Sequence, residues 1–204
     1  MYPYIERNGG SLYVESLSLH SLAKQYGTPL FVYSENAIRD QWSAYEAGFS
    51  GQDHLICFAV KANSNLAVLA LLAKLGAGFD IVSVGELERV LKAGGDAGKV
   101  VFSGVGKRPD EIRRALEVGI RCFNIESEAE LQRVNEVAAE IGIKAPSLCV
   151  STLMLMRAHT PISRRGCARI SLVSPSMRRC GSIKRRHCSL IWMSSVLIVI
   201  SVHS

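Results

Sequence analysis

Apolar residues fall along the chain in short unbroken runs, separated by stretches in which they recur every three or four positions. His54 to Val60 is the clearest run, as expected of a strand buried on both faces. Leu66 to Leu75, rich in Leu and Ala, predicts a helix ended by Gly76 and Gly78. The rhythm then repeats: a strand at Phe79 to Val82 is followed by a helix at Gly85 to Lys92, stopped by Gly94-Gly95. Val100 to Ser103 predicts a strand and Pro109 to Val118 a helix, with Pro109-Asp-Glu supplying the first turn and Gly119 the stop. Cys122 to Ile125 predicts the next strand, and Glu128 to Ile141 a helix ended by Gly142.

Strand starts near residues 55, 79, 100 and 121 give a repeat of a little over 20 residues. Four strand–helix units with buried strands predict an α/β fold with a parallel sheet, the N-terminal half of a (β/α)8 barrel. A doubly wound open sheet is the alternative. The barrel is favoured by the residues that precede the first strand and by the lack of a Gly-x-Gly-x-x-Gly turn. Half a ring has an unpaired strand edge at each side. The preceding residues, 11 to 50, predict a short strand at Ser11 to Glu15 and a helix at Leu19 to Tyr26 closed by Gly27. An apolar strand at Thr28 to Ser34 and a helix at Glu35 to Phe49 follow, with Ile38, Trp42 and Tyr45 on one face.

Charge changes the picture only when the chain is divided. Residues 1–144 hold 15 Lys and Arg against 18 Asp and Glu, a net −3, whereas residues 145–204 hold nine basic residues and no acid, a net +9. The overall +6 therefore averages a mildly acidic body with a basic tail, and it does not argue for a nucleic-acid partner. No run of 18 apolar residues predicts a membrane span. The start, Met1-Tyr-Pro-Tyr-Ile-Glu-Arg, lacks the charged and apolar regions of a signal peptide, which predicts a cytoplasmic protein. The six cysteines form no Cys-x-x-Cys pair and no zinc spacing, so no metal site is expected.

Lys61 stands directly after the first buried strand, and in a barrel that strand end faces the mouth. There it is expected to be partly desolvated, which favours the neutral amine that adds to an aldehyde. The competing reading is a surface lysine closing a strand. The surroundings decide between them. Phe58-Ala59-Val60-Lys61-Ala62-Asn63, then Val68-Leu69, Leu72 and Gly76, resembles the lysine signature of the fold-type III pyridoxal-phosphate decarboxylases. Gly76-Ala-Gly-Phe-Asp-Ile-Val-Ser-Val-Gly-Glu-Leu-Glu88, Val100-Val-Phe-Ser-Gly-Val-Gly-Lys107 and Tyr26-Gly-Thr-Pro-Leu-Phe-Val-Tyr33 resemble that family's diaminopimelate branch. The resemblance covers roughly residues 10–146.

The resemblance implies a barrel of the alanine racemase type, with pyridoxal 5'-phosphate as cofactor and Lys61 as the residue that attaches it. It implies that Asp80, at the next strand end, lies in the cofactor pocket; a helix cap or a loop carboxylate is the alternative. The implied activity of the full-length enzyme is decarboxylation of meso-diaminopimelate to L-lysine, by a homodimer with a further β-domain. Ornithine, arginine or carboxynorspermidine decarboxylases, or a non-enzymatic vitamin B6-binding barrel, are the alternatives. Ser83, Gly104 and Asn124 also follow or end strands but are given no role. Cys57 is expected in the core, and Glu111, Arg113 and Arg114 on a solvated helix face.

After Pro146 the rhythm stops. The family's Asn-Pro-Asp, His-Pro-Tyr-Ile-Ser-Thr-Gly, Asn-Lys-Phe-Gly and Cys-His-Ile-Gly-Ser segments are missing, and Arg-Arg pairs begin at 164, 178 and 185. Loss of one base just after the Pro146 codon accounts for this. Trp192-Met193 must be TGG-ATG, which hides the Asp codon GAT in another frame. With permissible codons, the stretch ending at residue 165 conceals Pro-Asp-Val-Asp-Ala-Arg-Thr-His-Pro-Tyr-Ile-Ser-Thr, and the stretch ending at residue 204 conceals Val-Asp-Cys-His-Ile-Gly-Ser-Gln. The expectation is thus a partial cofactor-binding barrel over 1–146 and an out-of-frame, non-native or disordered tail over 147–204. The truncated chain is expected to be inactive. A nucleic-acid tail would need interleaved aromatics, and the apolar stretch 190–202 is short for a membrane anchor.

Overall fold

The computed structural model describes residues 4–149, 188–193 and 196–201. It divides into two units, Met1–Ser50 and Gly51–Ser204. In the first, β1 (Ile5–Asn8) and β2 (Ser11–Val14) form an antiparallel hairpin running from Ile5↔Val14 to Asn8↔Ser11. Its two-residue loop, Gly9-Gly10, has φ of 55° and 83°, the positive pair that a type I′ turn demands. A two-residue β3 (Leu17–Ser18) pairs with β2 and leads into α1 (Leu19–Tyr26), which ends at Gly27 as expected. Ser34 caps α2 (Glu35–Gly48): its Oγ accepts from the Ala37 N–H at 3.0 Å and donates to the Glu15 carboxylate at 2.6 Å.

The strand expected over Thr28 to Ser34 is not formed. Pro29 has no N–H to give a ladder, the segment finds no partner strand among the described residues, and Phe31 and Tyr33 are exposed. An apolar run becomes a strand only against a neighbour.

The second unit follows the predicted alternation. Its elements are β4 (His54–Ala59), α3 (Leu66–Lys74), β5 (Gly78–Ile81), α4 (Val84–Lys92), β6 (Val100–Phe102), α5 (Pro109–Glu117), β7 (Cys122–Ile125), α6 (Glu128–Glu140) and β8 (Ser147–Cys149). Asn65, Ser83 and Ser127 cap α3, α4 and α6 through their side-chain oxygens. The expected stops, Gly76, Gly94, Gly119 and Gly142, all have φ between 69° and 91°, the left-handed turn that follows a helix.

The sheet order is β8-β7-β6-β5-β4-β10-β9. β4 to β8 are parallel and lie in chain order without a reversal. A doubly wound sheet must reverse its order at a switch point, so this is the sequential arc of a barrel. The two faces differ sharply. Phe79, Ile81, Val100, Phe102, Phe123 and Ile125 make one bulky face, with Phe102 and Phe123 stacked at 5.8 Å between centroids. Leu69, Leu87, Val90, Ile112 and Val134 of the helices complete that core. The other face carries small or polar residues: Cys57, Ala59, Gly78, Asp80, Val101 and Asn124. Gly78 is obligatory there, because a Cβ would sit 2.6 Å from the Lys99 carbonyl oxygen and 2.7 Å from Cys57 Sγ. Cys57 is fully buried, as expected of a core thiol.

The edges depart from expectation. On one side β8 continues the parallel ladder beyond Pro146, pairing Phe123↔Ser147 and Ile125↔Cys149. On the other, β10 (Val196–Ser201) pairs antiparallel with β4, and β9 (Cys188–Met193) antiparallel with β10. Neither edge of the four strands is therefore bare. The sense of β10 is nonetheless foreign to a barrel, whose first strand takes a parallel neighbour on that side. The apolar stretch weighed as an anchor contributes to this strand pair, and no helix among the described residues is long and apolar enough to cross a membrane. The rest of the expected out-of-frame tail lies outside the described residues.

Candidate active site

Parallel strands all end on the same side, so the residues at their C-terminal ends converge. Lys61 sits in a 3-10 turn, Val60–Ala62, directly after β4. The loop beyond it is tied down locally: Asn63 Oδ1 accepts from the Asn65 N–H at 3.0 Å, and Asn65 Oδ1 from the Ala67 N–H at 2.9 Å. Arg89 of α4 donates to the Ser64 carbonyl at 3.3 Å. Lys61 is exposed rather than partly desolvated. Half a ring of strands does not enclose the end of its first member.

Asp80 is level with Ala59 of β4 and Val101 of β6, on the face of small side chains. It is neither a helix cap nor a loop carboxylate: it lies within β5 and is 1% exposed. Its Oδ1 accepts a short hydrogen bond from Ser103 Oγ, while Oδ2 is buried without a hydrogen-bond partner among the described residues. Burial pushes the carboxyl up to about 6. The Ser103 hydrogen bond and the positive charges of Lys61 and Lys107 hold it down, and Glu86 pushes it up further. Lys61 and Asp80 are thus brought within electrostatic reach of each other at adjacent strand ends.

Of the residues given no role, Ser83 caps α4, Gly104 turns with φ 90°, and Asn124 is buried in β7, donating from Nδ2 to Ser103 Oγ at 2.9 Å. The loops at this end are braced by carboxylates. Glu86 accepts from the Val82 N–H at 2.7 Å, and Glu111 from the Val84 and Arg108 N–H groups at 3.0 and 3.1 Å. Glu111 is therefore a loop clamp, not a solvated charge. Arg113 and Arg114 do lie at the helix surface, paired with Glu140 and Glu88.

A model of the "pyridoxal-dependent decarboxylase, pyridoxal binding domain" family matches residues 35–178. The chain belongs to the pyridoxal-dependent decarboxylases. The match runs past Pro146, where the sequence rhythm stops. Over 155 residues the chain is 58% identical to the diaminopimelate decarboxylase of Vibrio cholerae, covering 76% of this chain and 37% of that protein. Against that of Pseudomonas aeruginosa it is 59% identical over 153 residues, covering 74% and 37%. The crystal structure of diaminopimelate decarboxylase from M. jannaschii in co-complex with L-lysine matches with a TM-score of 0.69 at 37% identity, covering 72% and 35%. The chain spans a little over a third of the length of these relatives.

The described residues of this decarboxylase domain fit the aldehyde end of a pyridoxal group. An accessible primary amine stands at a strand end, next to a buried carboxylate with one oxygen unsatisfied. A buried acceptor without a donor costs about 1–3 kcal/mol, so a bound group that brings a donor to Oδ2 would be favoured there.

The elevated Asp80 carboxyl has a consequence for stability. A carboxyl raised from 3.8 to about 6 on folding binds its proton more tightly in the native state. The native state then holds more protons than the unfolded one between those values, and stability falls as pH rises through that window. Asp80→Asn is expected to remove this slope. Urea unfolding at pH 5 and pH 7 should show the wild type losing roughly 1–2 kcal/mol more than the variant on going up in pH. An equal slope in both proteins would contradict the buried-carboxylate assignment.

Two residues of the site escaped the sequence reading. Ser103 ends a strand in a run that looks apolar. Lys107, read only as the end of a motif, is 2% exposed and pairs with Glu130 of α6, itself 2% exposed. Its Nζ also donates to the Gly104 and Asn124 carbonyls at 2.6 and 2.8 Å, and it lies 5.6 Å over the Phe102 ring. The Ser-Gly-Val-Gly-Lys run was the signal available.

Proposed function

We propose that this chain is the N-terminal part of a diaminopimelate decarboxylase, the carboxy-lyase that converts meso-diaminopimelate to L-lysine. Lys61 attaches pyridoxal 5'-phosphate and Asp80 lines its pocket. The observation that carries the reading is the placement of Lys61 within electrostatic reach of the buried Asp80 carboxylate at adjacent strand ends of a pyridoxal-binding domain. Identities of 58% and 59% favour this branch over ornithine, arginine or carboxynorspermidine enzymes and over a non-catalytic B6-binding barrel. The full-length enzyme is a cytoplasmic homodimer that takes a small amino-acid substrate and neither nucleic acid nor membrane.

The chemistry divides simply. When bound, the pyridoxal group supplies an electron sink for the electron pair left as carbon dioxide departs. Lys61 would contribute the amine that holds the group, and an amine at this strand end would also be placed to give or take a proton there. Asp80 contributes negative charge beside that amine. Glu86 and Glu111 hold the β5–α4 loop, so the mouth keeps its shape.

The tail after Pro146 is an out-of-frame translation, and the 204-residue chain does not turn over substrate. Inserting one base after the Pro146 codon is expected to open a frame extending well past residue 204. Its product should release carbon dioxide from meso-diaminopimelate with formation of lysine. Turnover by the 204-residue chain itself, or a present frame shared in order by close relatives, would contradict the truncation. A restored protein that prefers ornithine or arginine would contradict the substrate.

A further inference from the structure

We propose that Ser103 and Asn124 are positioning residues for Asp80: in series they fix its Oδ1, leaving Oδ2 as the acceptor presented to a group bound at the Lys61 strand end. The inference rests on the reading of Lys61 and Asp80 given above and extends it to two residues with no assigned role. Three neighbouring strands supply one side chain each. Asp80 comes from β5 and Asn124 from β7. Ser103 follows β6, its N–H donating to the Ile81 carbonyl at 2.8 Å so that the ladder runs one residue further. All three are at least nine-tenths buried: Asp80 is 1% exposed, Ser103 6% and Asn124 3%.

The direction of the chain is set by proton count. A hydroxyl has one proton, and Ser103 Oγ already accepts from Asn124 Nδ2, so its proton goes to Asp80 Oδ1. A hydrogen bond donated to Oδ1 is stronger to the carboxylate than to the carbonyl oxygen of a carboxylic acid protonated on Oδ2. The relay therefore favours the carboxylate form, and it works against burial. Among the described residues, two acceptors on this face have no donor, Asp80 Oδ2 and Asn124 Oδ1. Both belong to the relay, which marks it as a site awaiting a donor and not as closed core. The charged groups that bear on Asp80 are Lys61 after β4, Glu86 of α4 and Lys107 of the β6–α5 loop, with the Cys57 thiol of β4 on the same face.

Infrared titration of the whole 204-residue chain tests this, with the Asp80 carboxyl band identified by its loss in Asp80→Asn. Ser103→Ala is expected to lower the acid dissociation constant of Asp80 about tenfold, the scale of one charge-assisted hydrogen bond. Ser103→Thr, which keeps the hydroxyl, should stay within about twofold of wild type. Asn124→Ala should move the midpoint the same way by about two- to threefold, and the double alanine variant no further than Ser103→Ala, because Asn124 acts through Ser103. An unmoved midpoint in Ser103→Ala, or shifts that add fully in the double variant, would overturn the relay. If Ser103→Ala fails to fold, an unmoved midpoint in Asn124→Ala overturns it instead. Borohydride capture of pyridoxal phosphate by the same samples is a separate arm. No capture at Lys61 alongside a shifted Asp80 midpoint sinks the cofactor reading and leaves the relay standing.

Discussion

Truncating Lys107 to alanine should destabilise the sheet unit by about 3–5 kcal/mol, the scale of removing one partner from a buried ion pair. Glu130 would keep a buried carboxylate whose Oε1 has lost its cation, while Oε2 still accepts from the Glu126 N–H at 2.9 Å. The Gly104 and Asn124 carbonyls would lose their donor as well. The double replacement Lys107→Met with Glu130→Leu should recover most of the loss, because it removes both charges and leaves apolar volume beside Phe102. Urea unfolding of the three proteins measures this. A loss below about 1 kcal/mol in Lys107→Ala would mean that water reaches the pair. The pair also braces the site, since Lys107 grips the backbone of Asn124, whose side chain begins the relay to Asp80.

Lys61→Ala should abolish covalent capture of pyridoxal phosphate. In the frame-restored protein it should lower decarboxylation by roughly 10⁴-fold or more, the scale of deleting a covalent catalytic group. Stability should fall by no more than about 1 kcal/mol, the scale of replacing a charged side chain at an exposed strand end. Large loss of capture with a nearly unchanged unfolding midpoint separates a functional lysine from a structural one. A variant that still captures the cofactor at a new lysine would show that the strand end, not this residue, directs attachment.

These two lysines also mark what a sequence can and cannot disclose. Lys61 was legible because an apolar run and a distinctive motif place it at a strand end. Lys107 was not, because its partner Glu130 lies 23 residues away and only the adjacency of two strand ends brings them together. Between residues 54 and 141 the elements were readable for a local reason: each helix is stopped by a glycine, and strands buried on both faces are almost wholly apolar. The false strand at 28–34 failed where local information ends, since Leu30, Phe31 and Val32 have strand character but no partner. The β1–β2 hairpin was passed over although Asn8-Gly9-Gly10 is a turn signal. The pairing of β10 with β4 could not be anticipated, because composition shows apolar content and not which open edge will take it. The place of Asp80 in a strand was readable, but not its burial or its hydrogen bond from Ser103. Both are set across strands.

The measurement that bears most directly on the account is mass spectrometry of the chain after incubation with pyridoxal phosphate and reduction with borohydride. Proteolysis should yield one dominant modified peptide, carrying the reduced cofactor on Lys61 of the Val60–Ala62 turn. Dominant modification of any other lysine, or modification spread evenly over the exposed lysines, would contradict the claim that this strand end is built to hold the cofactor.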